Sequence, residues 1–164
     1  MLFAQAKVHR PGFTLIELLL VIAIIGLLAT LATSSLSNAR QKSRDARRVA
    51  DIRQIRTALD MYLDGTTSGL YPVATGLTLG SATAQCLGAS GFSASAGCTN
   101  PIFMAKIDGD PGGESGYSYL YTSADGATYT ITFGLAGRTG QLVCAAGYDA
   151  SCCHATPTGV DCSF

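Results

Sequence analysis

Residues 13–32, FTLIELLLVIAIIGLLATLA, form an apolar run whose one charged side chain, Glu17, falls in the second turn. As a helix rising about 1.5 Å per residue, twenty such residues reach about 30 Å, the thickness of a bilayer's hydrocarbon core. This run therefore predicts a single membrane-spanning helix. An ionised acid at the centre of such a helix costs about 2.5–3.5 kcal/mol on insertion scales. Glu17 thus calls for a partner. The twelve residues ahead of it, with Lys7, His9 and Arg10 and ending in Pro11-Gly12, read as a short leader. A cut after Gly12 would turn Phe13 into a new amino terminus, whose ammonium has the right sign to pair with a carboxylate.

The stretch Gly12-Phe13-Thr14-Leu15-Ile16-Glu17-Leu18 resembles the processing and methylation site of type IV pilins and of the pseudopilins of type II secretion. The resemblance implies cleavage after Gly12 by a prepilin peptidase and N-methylation of Phe13. It implies a filament packed through the first helix, in which Glu17 pairs with the amino terminus of a neighbouring subunit. It also implies identical or homologous subunits and an inner-membrane assembly platform as partners. The expected location is the bacterial cytoplasmic membrane as a single-pass precursor, then an extracytoplasmic filament. One departure is that Pro11 stands between Arg10 and Gly12, where the family usually has the basic residue next to the glycine. Two alternatives stay open. A secretory signal would use Lys7, His9 and Arg10 as its basic start and Thr30-Leu31-Ala32 as its cleavage site, although it would leave Glu17 without a purpose. A single-span or secreted disulfide-bonded binding or adhesion domain would use residues 65–164 as its head.

Beyond the apolar run the pattern changes. Ala46, Val49, Ile52, Ile55, Leu59 and Tyr62 recur at three- and four-residue steps and predict one buried stripe on a continuing helix, with the arginines opposite. Arg56 and Asp60 are spaced as an i,i+4 pair. Gly26 reads as a small residue for close helix packing. The helix is expected to stop near Asp64-Gly65, with a left-handed glycine cap. The organisation predicted is a leader at 1–12, an apolar assembly half at 13–36, an amphipathic half at 37–64 and a globular head at 65–164. Residues 37–64 hold seven basic and four acidic side chains, a net of +3, whereas residues 65–164 hold two basic and six acidic, a net of −4. This asymmetry suits head-to-stalk contacts in a filament, weakened by salt.

In the head, residues 65–115 are rich in small residues and read as a long connection, with a helical turn from Asn100 to Ile107 started by Pro101. The tyrosines of 117–122 alternate with smaller residues, Asp125-Gly126 is a hairpin signal, and Tyr129, Ile131 and Phe133 alternate with threonines. Gln141 to Cys144 reads as a third strand. A small antiparallel sheet on a helical stripe is an α+β roll, the type IV pilin-like fold that the resemblance also implies. The Asp110-Pro111 segment before Tyr117-Ser118-Tyr119 is similar to the one preceding the sheet in major pseudopilins. Asp108, Asp110 and Glu114 are weak calcium candidates, against a plainer reading as a solvated acidic turn.

Six cysteines in an exported body argue for disulfides. Proximity favours Cys86–Cys98. Cys144, Cys152, Cys153 and Cys162 then pair among themselves, with one of the adjacent Cys152 and Cys153 reaching Cys144 and the other Cys162. Zinc held by Cys144, Cys152, Cys153 and His154 is the alternative, though the spacing matches no known zinc pattern. The two histidines, His9 and His154, give no catalytic constellation, and no nucleophile elbow or phosphate loop is present. No enzyme and no cofactor is expected. The basic run Arg40 to Arg48 suits packing between subunits better than nucleic-acid binding.

Overall fold

The computed structural model describes residues 12–112, 117–135 and 153–162, without the side chains of 31–35. The expected leader through Pro11, the strand at 141–144, Glu114, Cys144 and Cys152 lie outside the described residues. The chain divides into two compact units, Met1–Ala39 and Arg40–Phe164.

One helix, α1, runs Leu15–Gly65. In the first unit every large apolar side chain described, from Phe13 to Leu28 and again at Leu36, is exposed, Phe13 by 82% and Leu15 by 80%. The helix passes through Gly26, and a methyl group added there would meet nothing within 4 Å. The apolar stretch from Leu15 to Ala29 covers about 22 Å of helix by its rise per residue. Among the described residues no helix is long and apolar enough to cross a membrane.

The second unit holds two antiparallel sheets. Strands β1 (Ala74–Thr78), β5 (Leu120–Ser123), β6 (Thr130–Phe133), β7 (Cys153–Thr156) and β8 (Gly159–Asp161) form one sheet in the order β1-β5-β6-β7-β8. Strands β2 (Cys86–Gly88), β3 (Gly91–Ser93) and β4 (Ile102–Met104) form the other, in the order β3-β2-β4. The alternation at β5 and β6 has the consequence expected of a pleated strand. Tyr119, Tyr121, Ile131 and Phe133 are buried, and the threonines between them are not. These side chains join Ile52, Ile55, Leu59 and Tyr62 of α1 in one core. Tyr71 and Tyr129 meet edge to face at 4.7 Å between ring centroids, and so do Phe92 and Tyr121 at 4.8 Å.

Several expectations are corrected. The buried stripe of α1 does not begin at Ala46, which is exposed; Asp45 and Arg48 occupy the same face as Ile52, Ile55, Leu59 and Tyr62. Spacing of three and four residues runs unbroken through 45, 48, 52, 55, 59 and 62, so the stripe is real but its first two members are charged. Arg48 is therefore not on the solvent face with the other arginines. The helix ends at Gly65 as expected, yet the left-handed glycine is Gly69, at φ 59°. At Gly65 a Cβ would stand 2.6 Å from the edge of the Phe103 ring, so a side chain there would push the ring aside.

Asn100 to Ile107 is not helical. Ile102–Met104 is β4, paired with β2, and Pro101 precedes a strand because it needs no ladder hydrogen bond at that point. The small-residue segment between Cys86 and Cys98 is a hairpin rather than a loose loop, with Leu87 opposite Phe92 and a 3-10 turn at Ser95–Gly97. The strand beside β6 is β7, Cys153–Thr156, with Ile131 opposite Ala155. The β5–β6 connection is longer than a two-residue turn. The Ser123 hydroxyl donates to the Thr128 carbonyl at 2.6 Å, and the same oxygen accepts from the Gly126 N–H at 3.2 Å.

Candidate processing and assembly segment

Gly12, Phe13 and Thr14 precede the helix and are exposed. Among the described residues, a methyl group at Gly12 would meet nothing within 4 Å.

Glu17 is not idle in the subunit. Its carboxylate accepts hydrogen bonds from the Thr14 N–H at 2.9 Å and from the Thr14 hydroxyl at 2.7 Å. The Thr14 hydroxyl oxygen in turn accepts from the Glu17 N–H at 3.4 Å. This is a capping box: residues three apart satisfy each other's orphan donors at a helix start. The negative charge also sits where the helix dipole is positive. Thr14 was legible for this role, since Thr-x-x-Glu before an apolar run is the sequence signature of a capping box, but reading Glu17 only as a partner for another chain passes over it.

The second unit carries a buried ionic cluster. The Arg48 side chain is fully buried; its Nε donates to Asp110 at 2.6 Å and its Nη1 to Asp45 at 2.7 Å. The guanidinium lies 4.1 Å from the Tyr117 ring centroid, a cation–π contact. Asp110 also accepts from the Gly112 N–H at 2.9 Å. Burial works against the guanidinium's charge, but Asp110 and Asp45 together hold it more firmly protonated than usual. Beside it the Tyr119 hydroxyl donates to Asp51 at 3.1 Å. Burial raises the Asp51 carboxyl above the ordinary range, and burial together with Asp51 pushes the Tyr119 hydroxyl far up.

Asp108 pairs with Lys106 and, at 3.9 Å, with Arg47. The acidic turn is thus not simply solvated: Asp110 is nearly buried, and both aspartates face cations supplied by the chain itself. Among the described residues no group of three or more His, Cys, Asp or Glu is arranged to hold a metal. Arg56, spaced to face Asp60, donates to the Pro157 carbonyl at 3.2 Å and so ties α1 to the β7–β8 turn.

Disulfides join Cys86 to Cys98, with Cα atoms 6.2 Å apart, and Cys153 to Cys162, 4.2 Å apart. The first closes the β2–β3 hairpin and its 3-10 turn; the second staples β7 to β8 one position beyond the His154–Asp161 pair. Cys153 therefore carries no thiolate with which to hold zinc. The His154 ring Nδ1 lies 3.3 Å from the Thr132 hydroxyl.

Residues 9–33 match the prokaryotic N-terminal methylation motif family, the signature of type IV pilins and pseudopilins. The match covers Gly12, Phe13, Thr14 and Glu17. No curated protein and no solved structure matches the chain.

Proposed function

We propose that this chain is a structural subunit of a type IV pilus or of a type II secretion pseudopilus. The observation that carries this reading is the combination, within the methylation motif, of a lone carboxylate and a helix whose described large apolar side chains are all exposed. Residues 13–32 anchor the precursor in the cytoplasmic membrane, with the basic leader on the cytoplasmic side. A prepilin peptidase hydrolyses the Gly12–Phe13 amide, and the amine released on Phe13 is methylated. The Thr14 box satisfies part of the Glu17 carboxylate while the subunit waits in the membrane. During assembly the Phe13 ammonium of a neighbour supplies the opposite charge, and the apolar side chains exchange lipid for other helices. The head, residues 65–164, forms the filament surface. The chemistry belongs to the processing enzyme, and the chain itself acts as material.

The intact mass of the mature protein tests this. It should equal residues 13–164 with three disulfides and one added methyl group. A mature chain beginning at Thr33 would point to an ordinary secretory signal and remove the filament reading.

A further inference from the structure

Seven basic side chains lie between Arg40 and Arg56, and the fold treats them unequally. Arg48 is held by Asp45 and Asp110, Arg47 faces Asp108, and Arg56 donates to the Pro157 carbonyl. Arg40 and Lys42 are different. Both are exposed, and no ion pair joins either of them to a described residue. Between Glu17 and Asp45 the chain has no Asp or Glu, and Asp45 is buried against Arg48. Among the described side chains of α1, burial begins only at Asp45; Leu36 to Arg40, Lys42 and Ser43 are all exposed. The fold therefore spends its aspartates on the basic residues further along the helix and leaves the two nearest the apolar run uncommitted.

Two residues apart on a helix of about 3.6 residues per turn, Arg40 and Lys42 stand on opposite sides of α1, about 160° apart. A protein docking on one face would meet one of them, whereas a bilayer surface surrounds the helix and meets both. They follow Ala32, the end of the apolar run, by eight and ten residues, or about 12–15 Å of helix. Headgroups extend about 5–8 Å beyond the hydrocarbon on each side, and the potential of an anionic surface reaches a further Debye length, about 8–10 Å. Both cations fall within that reach, and long basic side chains bend back towards an interface while their stems cover apolar surface. We propose that Arg40 and Lys42 form a collar that binds the phosphate headgroups of anionic phospholipids, in the leaflet opposite the leader, and so holds the waiting subunit in an anionic lipid shell. This rests on the membrane-anchored filament reading above and adds the class of lipid that the anchored subunit selects.

The full-length chain in nanodiscs of phosphatidylglycerol mixed with phosphatidylcholine tests it, by native mass spectrometry of the lipids that stay bound as the disc is disrupted. Phosphatidylglycerol should be retained in preference to phosphatidylcholine, and the preference should fall as salt is raised. Arg40→Gln and Lys42→Gln should each lower it by up to about fivefold, the worth of one cation near an anionic surface, and the double variant by more. Arg40→Lys with Lys42→Arg keeps both charges and should preserve it. So should Arg53→Gln, which removes an exposed cation thirteen residues beyond Arg40. Equal retention of the two lipids, a preference that the double variant leaves unchanged, or one that Arg53→Gln lowers equally overturns the lipid collar and leaves the filament reading standing. A chain that enters neither bilayer has no anchor, and the filament reading then fails together with the collar.

Discussion

The two halves of α1 handle charge and grease in opposite ways. Between Phe13 and Leu28 the large apolar side chains lie open and the one charge is tucked into a capping box. Between Asp45 and Tyr62 the stripe Ile52, Ile55, Leu59 and Tyr62 is buried, and two charged residues are buried with it. A half that hides its grease under a sheet can fold within one subunit. A half that leaves it bare needs other material around it, lipid or further helices. Exposed apolar surface is worth about 25 cal/mol per Å² once it is covered, so the first half is a large reservoir of association free energy that the isolated subunit does not use. The charges follow the same division. Asp45 and Asp110 neutralise Arg48 inside one fold, whereas among the described residues Glu17 meets the N–H and hydroxyl of Thr14 at its own helix start.

If the second half is closed in this sense, breaking its ionic cluster should be costly. Arg48→Met would remove the buried cation that Asp45 and Asp110 share. Removing one partner of a buried pair costs about 3–5 kcal/mol, and thermal or urea unfolding of the detergent-solubilised full chain should show a loss of that order. Arg48→Lys should lose less, because the charge remains while the forked geometry goes. A loss under about 1 kcal/mol for Arg48→Met would mean that the cluster is solvated in solution, as surface pairs are, and would blur the contrast between the halves.

The disulfide at the β2–β3 hairpin sharpens the comparison further, because it supports a three-stranded sheet whose strands are each three residues long. Cys86→Ser with Cys98→Ser opens a loop with a sequence separation of 12. The chain-entropy model puts the expected destabilisation at about 3 kcal/mol. Intact α1 helicity with lost protease resistance near residues 86–104 is the expected pattern.

Asp51 gives the smallest effect and a signed one. Its carboxyl holds its proton more tightly in the folded chain than in the unfolded one. The folded state therefore gives up stability as pH rises through the window just above the ordinary carboxylate range. Asp51→Asn removes that penalty while keeping an acceptor for Tyr119. At pH 7 the variant should match or exceed the parent's stability by no more than about 1 kcal/mol, and this gain should vanish near pH 3. A variant less stable than the parent at pH 7 would show that the ionised carboxylate is an asset to the fold.

Much of this was legible in the residues, and the failures share a cause. The methylation motif, the end of α1, the Tyr and Thr alternation of β5 and β6, and the Cys86–Cys98 bridge each rest on local pattern. Asp45 and Arg48 escaped because a hydrophobic stripe is found by its apolar members, and a charged pair that satisfies itself is invisible to that test. The partner that makes Arg48 buriable, Asp110, is 62 residues away. Strands β2, β3 and β4 escaped because three residues cannot display a period of two. The net charges of stalk and head pointed to contacts between subunits, yet Asp108 and Asp110 meet Arg47, Lys106 and Arg48 of their own chain. β7 and β8 lie in a tail whose pairing with β6 no local signal announces.

The central claim is that residues 13–30 and Glu17 serve assembly and not the folding of the subunit. Glu17→Ala tests it most directly, by measuring the amount of the full-length chain in sheared filaments against the amount processed in the membrane. The variant should be cut after Gly12, insert as well as the parent, keep its disulfides and head stability, and yet be depleted from filaments by about tenfold or more, as expected where a buried charge pair loses one member. Glu17→Asp should fall between, since it keeps the charge with a shorter reach. Filaments of normal number and length from Glu17→Ala would contradict the account, and would leave Glu17 as nothing more than half of a capping box.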